Sequence, residues 1–239
     1  MKFHPSRRAR AGALWQGARM NRSVPALPNR PATRAEQRDA ARKSAMDAAT
    51  EIFARHGFEG GSINDIASQS GVSKQNLLYH FASKEALWQA CVDRLFAQVD
   101  AFMAEAFAPN ARSDPPFAQF VEVYFEACCR FPAYVLIPMI EGVNAGWRTD
   151  YLAKTYLQRH IIDFNAYVKR MVKVGALPDI DPLHLQNAVA GGAQLYLALA
   201  PLWQSTLGVD TRAPEFLKQY ADSFLRILHE VPRDNSAQA

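Results

Sequence analysis

SINDIASQSGVSKQNLLYHF, residues 62–81, is the stretch whose reading decides the fold. Ser62 is a good N-cap, and Asp65 follows three residues on, as in a capping box. Ile63, Ile66 and Ala67 recur at i, i+3, i+4 and make one apolar helical face. Gly71 suits the left-handed residue just past a helix end. Ser73 caps a second helix only two residues later, which leaves the short turn that joins two helices in a helix-turn-helix.

On the second helix Ser73, Leu77 and Phe81 share a face at i, i+4, so Leu77 and Phe81 are expected in the core. Lys74 with Leu78, and Gln75 with Tyr79, then point outward. That outward set has the chemistry of a recognition helix. Gln75 and Asn76 can bond adenine edges, Lys74 can reach guanine or phosphate, and Leu78 can touch a thymine methyl. Tyr79 and His80 can donate to phosphates. Ser62 and Ser73, at the two helix starts, join this DNA-facing set. Ser83 caps a further helix, and Lys84 in its first turn is placed to meet the DNA backbone beside a positive helix end. Any one of these residues alone would be an ordinary capped surface; the whole set in this order points to double-stranded DNA.

From about Arg38 to Leu87 the chain resembles the TetR family of bacterial transcriptional regulators. Ile52 and Phe53 in the first helix carry the likeness, followed by HGFEGGSINDIASQSGVSKQNLLYHFASKEAL, residues 56–87. The resemblance implies a three-helix DNA-binding head, a larger helical ligand-binding body and a homodimer. Where Leu78 stands the family often has an aromatic residue, and Leu cannot make a phosphate hydrogen bond. FPAYVLIPMIEG (131–142) and VGALPDIDPLHLQN (174–187) are similar to the pyrimidine-utilisation subgroup of that family. That likeness implies a small polar, nucleobase-like effector.

The chain of 239 residues is 49% apolar and 21% charged, enough for a sizeable core. No run reaches the ~18 apolar residues of a membrane span. Ala188–Trp203 comes nearest, but Gly191, Gly192, Gln194 and Pro201 interrupt it, so it reads as a buried helix and no membrane contact is expected. The net charge is +4 but unevenly spread. Residues 1–34 hold eight basic side chains and no acid, so everything after them is mildly acidic. Three readings of this Pro- and Arg-rich start compete: an extension that binds the DNA backbone through counterion release, an inert disordered tail, or translation beginning at Met20. An organellar transit peptide has similar composition, but the bacterial-type motif argues against it. Cys91, Cys128 and Cys129 have neither a disulfide framework nor metal-ligand spacing and read as reduced buried thiols of a cytoplasmic protein.

No strand-period segment of useful length occurs, so the fold class is all-α: a three-helix head with the helix-turn-helix and a six-helix-type body. The expected organisation is a basic arm at 1–33, a DNA-binding domain at 34–82, a ligand-binding and dimerisation domain at 83–232 and a frayed tail at 233–239. Helices are expected over about Thr33–His56, ended by Gly57, then Ser83–Phe107, a segment opening at Asp114-Pro115 and reaching Arg130, a short helix from Pro132 kinked at Pro138, Arg148–Val174, Pro182–Leu207 and Pro214–His229. The last two are the dimer candidate. Ala190, Gly191, Gly192 and Ala193 would let a partner helix approach, and Leu195, Leu199, Leu202, Phe216, Phe224 and Ile227 supply apolar area. Two-fold symmetry would match a palindromic operator.

Pockets in helical bodies are mostly apolar with a few polar groups. Glu141, Asn144 and Trp147 punctuate a core-like stretch, and Tyr124, Phe164, Tyr167, Gln194 and Tyr196 could complete a cavity from neighbouring helices. Gln194, midway along an apolar helix, needs a hydrogen-bond partner. No cofactor or metal is expected. The six His are scattered, and phosphate-loop, nucleophile-elbow and HExxH patterns are lacking, which argues against an enzyme. The reading is a ligand-responsive DNA-binding regulator, most simply a repressor. A DNA-binding protein without an effector is the alternative.

Overall fold

In the computed structural model, residues 33–108 and 113–230 are described. The basic arm up to residue 32, the start of the loop after residue 108 and the C-terminal tail lie outside them. Every regular element among the described residues is helical. α1 (Arg34–Gly60) opens on a capping box, with the Thr33 N–H donating to Glu36 and the Glu36 N–H donating to the Thr33 hydroxyl. Its buried stripe runs Ala45, Met46, Ala48, Ala49, Ile52, Phe53. Three alanines there let neighbouring helices lie close. α1 does not stop at Gly57 as its sequence suggests. Gly57 takes φ 66°, ψ −179°, breaks the helical path, and the chain resumes to Gly60. That break drives Phe58 inward, stacked on Phe53 at 6.1 Å and edge-on to Trp88 at 6.4 Å.

α2 (Ile63–Ser70) and α3 (Lys74–His80) are joined through Gly71 at φ 69°. α4 (Lys84–Phe107) is capped by Ser83. One core fuses these helices. Phe53, Phe58, Ile66, Leu77 and Phe81 pack with Leu87, Trp88, Val92 and Phe96 of α4, and the same core takes in Ile137 and Leu152 from further along the chain.

α5 (Phe117–Arg130) begins later than expected and has no side-chain cap. Asp114, expected to open it, instead accepts both Arg170 Nε at 2.6 Å and Arg170 Nη2 at 2.8 Å. α6 (Pro132–Gly142) carries Pro138 within it. The single helix expected from Arg148 to Val174 is α7 (Trp147–Leu152), a π turn (Ala153–Leu157) and α8 (Gln158–Lys173). The wider turn brings residues five apart to one face: Tyr151 and Tyr156 both donate to Asp93 Oδ1, at 2.6 and 2.5 Å. α9 starts at Pro182 behind the Asp181 cap, but ends at Ala198, not Leu207. Pro201 lacks an N–H and fits only the first turn of a new helix, so the chain breaks at Leu199 and restarts as α10 (Ala200–Leu207). α11 spans Pro214–Glu230. A second core gathers α5, α8, α9 and α11 around Val121, Phe125, Val168, Leu185, Val189 and Phe224.

Leu77 is the fully buried side chain of α3. Leu77→Ala is expected to cost about 2–5 kcal/mol in urea unfolding. The Asp114–Arg170 pair sets a pH dependence. Its hydrogen bonds to Arg170 hold the Asp114 carboxyl below the ordinary value of 3.8. The stability it contributes is present above that unfolded value and lost as pH falls through the lower folded one. Asp114→Asn should therefore be less stable than the parent at pH 7, by under about 1 kcal/mol because the pair is solvent-screened, with the gap closing in strong acid.

Candidate nucleic-acid interface and the body cluster

α3 presents its chemistry as a row. Lys74, Gln75 and Asn76 are exposed, Leu78 is 41% and Tyr79 77% exposed, while Leu77 and Phe81 hold the helix from beneath. The caps that fix this geometry are local. Ser73 Oγ accepts the Asn76 N–H at 3.2 Å. Ser62 Oγ accepts the Asp65 N–H at 3.0 Å and donates to Asp65 Oδ2 at 2.6 Å. Ser62 is thus engaged in its own cap, with its proton turned to Asp65 and not outward.

Two expected phosphate contacts are placed differently. His80 is half-buried against Tyr79 and Phe81, and its Nε2 is enclosed. Lys84 lies over the Phe58 ring at 4.3 Å and its Nζ reaches the Glu59 carbonyl at 3.5 Å. Lys84 therefore ties α4 to the end of α1, and contact with DNA would have to draw its ammonium off that ring. Arg42, which sequence reasoning did not single out, lies over the Phe81 ring at 5.3 Å. A lysine or arginine far along α1 carries no local mark of lying beside α3.

The expected ligand set divides in two. Tyr124, Phe164, Tyr167, Gln194 and Tyr196 belong to the body. Gln194 Nε2 lies 3.5 Å from the Tyr124 hydroxyl, which supplies the polar partner that the mid-helix amide requires. Burial pushes the Tyr124 hydroxyl well above its ordinary pKa and, in the same patch, lifts the Cys128 thiol to about 12. Phe120, not named from the sequence, stacks on Tyr124 at 6.2 Å and touches Phe164 at 5.1 Å and Tyr167 at 5.4 Å. Tyr167 donates its hydroxyl to the Pro115 carbonyl at 2.8 Å. Tyr196 meets Tyr220 at 4.3 Å, and Tyr220 stacks on Phe125.

Glu141, Asn144 and Trp147 are elsewhere. Glu141 is 6% exposed, accepts the Phe58 N–H at 2.7 Å and pairs with Arg148 at 2.5 Å. Trp147 stands edge-on to Phe58 at 5.5 Å and to Trp88 at 5.3 Å. Asn144 is exposed, and its carbonyl accepts the Thr149 hydroxyl. Glu141 and Trp147 join α6 and α7 to the end of α1, Asn144 sits in the exposed turn between those two helices, and none of the three lines the Tyr124–Gln194 cluster. Part of the small-residue stripe also has an internal cause. A Cβ on Gly192 would come within 3.0 Å of Phe224 and Tyr220, so Gly192 seats α11 on α9 within one chain. Ala193 and Phe224 are both buried in the second core. Gly191, Leu195, Leu202 and Ile227 are left facing out.

Among the described residues no group of side chains has the makings of a metal site, and no single helix is long and apolar enough to cross a membrane. The sequence model of the family "Bacterial regulatory proteins, tetR family" matches residues 45–91, which cover the end of α1, the helix-turn-helix and the start of α4. The HTH-type transcriptional regulator RutR of Escherichia coli K12 is 33% identical over 196 residues, covering 80% of this chain and 90% of that protein. The regulatory protein RaaS of Mycobacterium tuberculosis is 33% identical over 160 residues, 64% of this chain and 69% of that one. Among solved structures, a fatty acid metabolism regulator of Clostridium perfringens superposes with a TM-score of 0.64 at 18% identity, over 80% of this chain and all of the other. FadR of Bacillus subtilis, solved with stearoyl-CoA, gives 0.58 at 12% identity over 80% and 99%. These relatives are regulators and not enzymes, and with its helix-turn-helix and all-α fold this chain belongs to the TetR family of DNA-binding transcriptional regulators.

Proposed function

We propose that the chain is a ligand-responsive repressor that binds a palindromic operator as a homodimer. One observation carries the reading: a short helix, anchored from below by Leu77, offers Lys74, Gln75, Asn76, Leu78 and Tyr79 to solvent as one row. Residues 34–82 are the DNA-reading part and 83–232 the effector-binding and dimerising part. The two α3 helices of a dimer enter successive major grooves about 34–36 Å apart. Gln75 and Asn76 read base edges, Leu78 packs on a thymine methyl, and Lys74 and Tyr79 hold phosphates. Such a protein acts in the cytoplasm, where its DNA is.

Leu195 (53% exposed), Leu202 (53%) and Ile227 (62%) support dimerisation through α9, α10 and α11, since they project from the side of these helices that their own chain leaves uncovered. The effector site is the Tyr124–Gln194 pair with its aromatic surround. An amide and a phenol beside stacked rings suit a small planar polar molecule of nucleobase type better than an acyl chain. The effector shifts DNA affinity by its differential binding to two states, typically ~1–3 kcal/mol.

Fluorescence anisotropy on DNA upstream of the chain's own gene tests the DNA reading. Gln75→Ala or Asn76→Ala should cost about 1–3 kcal/mol on the operator and relax base preference at one position. Lys74→Ala should weaken all sequences alike and flatten the salt slope by about 1. An unchanged sequence profile in the Gln75 variant would show that α3 does not read bases. Uracil and stearoyl-CoA, compared in thermal shift, test the effector class. A ligand at about a hundredfold its Kd should stabilise by about 2.7 kcal/mol. Gln194→Leu should abolish the shift for a polar ring. A response to stearoyl-CoA alone would reject the polar-ring reading.

A further inference from the structure

We propose that Glu141 and Arg148 form a brace that fixes the angle of the DNA-reading head against the body, which makes them positioning residues for operator spacing. Its function rests on the DNA reading above, but its existence does not. The brace begins at a break in the first helix. At Gly57 the chain takes φ 66°, and a Cβ there would sit 2.7 Å from Ile140 Cγ2. Glycine thus does two things at once: it permits the turn and lets α6 close on α1. The turn leaves the Phe58 N–H outside the helical ladder, and Glu141 Oε1 accepts it at 2.7 Å. A carboxylate buried this deeply is costly unless its other oxygen is also paired. Arg148 meets that need at Oε2, and its Nη1 continues to Glu59 at 3.0 Å.

One guanidinium from α7 therefore spans a body carboxylate and a head carboxylate. Its partners hold the Arg148 pKa above the ordinary value although burial works against its charge. The guanidinium also lies 4.7 Å from the Phe58 ring centroid, which Trp147 meets edge-on. None of these groups faces the outward row of α3 or the Tyr124–Gln194 pair. These directional bonds add to the apolar contact of Ile137 and Leu152 with the head core and favour one angle over its neighbours. The arrangement joins the head to the α6–α7 corner, whose helices pack onward into the body.

The test reads the angle within one chain. Spin labels at Asn64→Cys on α2 and Lys169→Cys on α8, with Cys129→Ser, leave only buried Cys91 and Cys128 unlabelled. Doubly labelled chains diluted into unlabelled protein report distances by pulsed electron resonance. The parent should give one narrow peak. Glu141→Gln removes the ion pair, and Arg148→Met removes the bridge while leaving the buried N–H bond. Both should lose the single peak to a broadened or split distribution. Lys154→Ala, which breaks an exposed pair on the π turn, should leave it intact. Should Glu141→Gln fail to fold, Arg148→Met decides. A narrow, unmoved peak in the folded variants overturns the proposal. On palindromes of varied half-site spacing the parent should select one spacing and Arg148→Met should accept several. A broadened peak in a protein that binds no palindrome in either form would count against the DNA reading and leave the brace standing.

Discussion

A helix of seven residues such as α3 cannot fix its own position. Helices this short are marginal in water, and α3 is held by caps at its ends and by Leu77 beneath it. Everything the head does therefore depends on the core that Leu77 enters. Ile66, Phe53 and Phe81 share that core with it, and Trp88 and Phe96 extend the same packing into α4. The head is consequently not a bead on a string. Its core and the first half of α4 are one apolar unit, and a rotation of α4 must carry α3 with it.

The second core carries a polar pair. Around Phe120, Phe125 and Tyr220 it is dominated by rings, with the Tyr124 hydroxyl and the Gln194 amide placed among them. A polar joint at Gly57–Glu141–Arg148 lies where the end of α1 meets α6 and α7.

Local signals in the sequence suffice for the helix-turn-helix and its caps. Ser62, Gly71, Ser73 and Ser83 each act on backbone within three residues, so their capping roles are legible without knowing the fold. The all-α class and the outward row of α3 follow from the same short-range periodicity. What escaped was non-local. Gly57 reads as a stop because glycine commonly ends helices, whereas its left-handed turn here serves a contact with Ile140 far along the chain. Glu141 reads as a polar group in a core stretch, and only the approach of α1 reveals that its partner is the Phe58 amide. The π turn has no sequence mark; it exists to bring Tyr151 and Tyr156 together on Asp93. The break at Leu199 was within reach, since Pro201 forbids an uninterrupted helix.

The indoles of Trp88 and Trp147 lie 5.3 Å apart and nearly perpendicular, one on α4 and one at the start of α7. Chromophores that close share their excited states, and the sign and size of the resulting optical activity depend on their mutual orientation. Trp203 lies apart from this pair, stacked on Tyr196 in the body. The near-ultraviolet circular dichroism of the unlabelled protein therefore contains a coupled signal from the joint. Any ligand, salt or DNA that swings α4 against α7 will change its spectrum without a probe having been added.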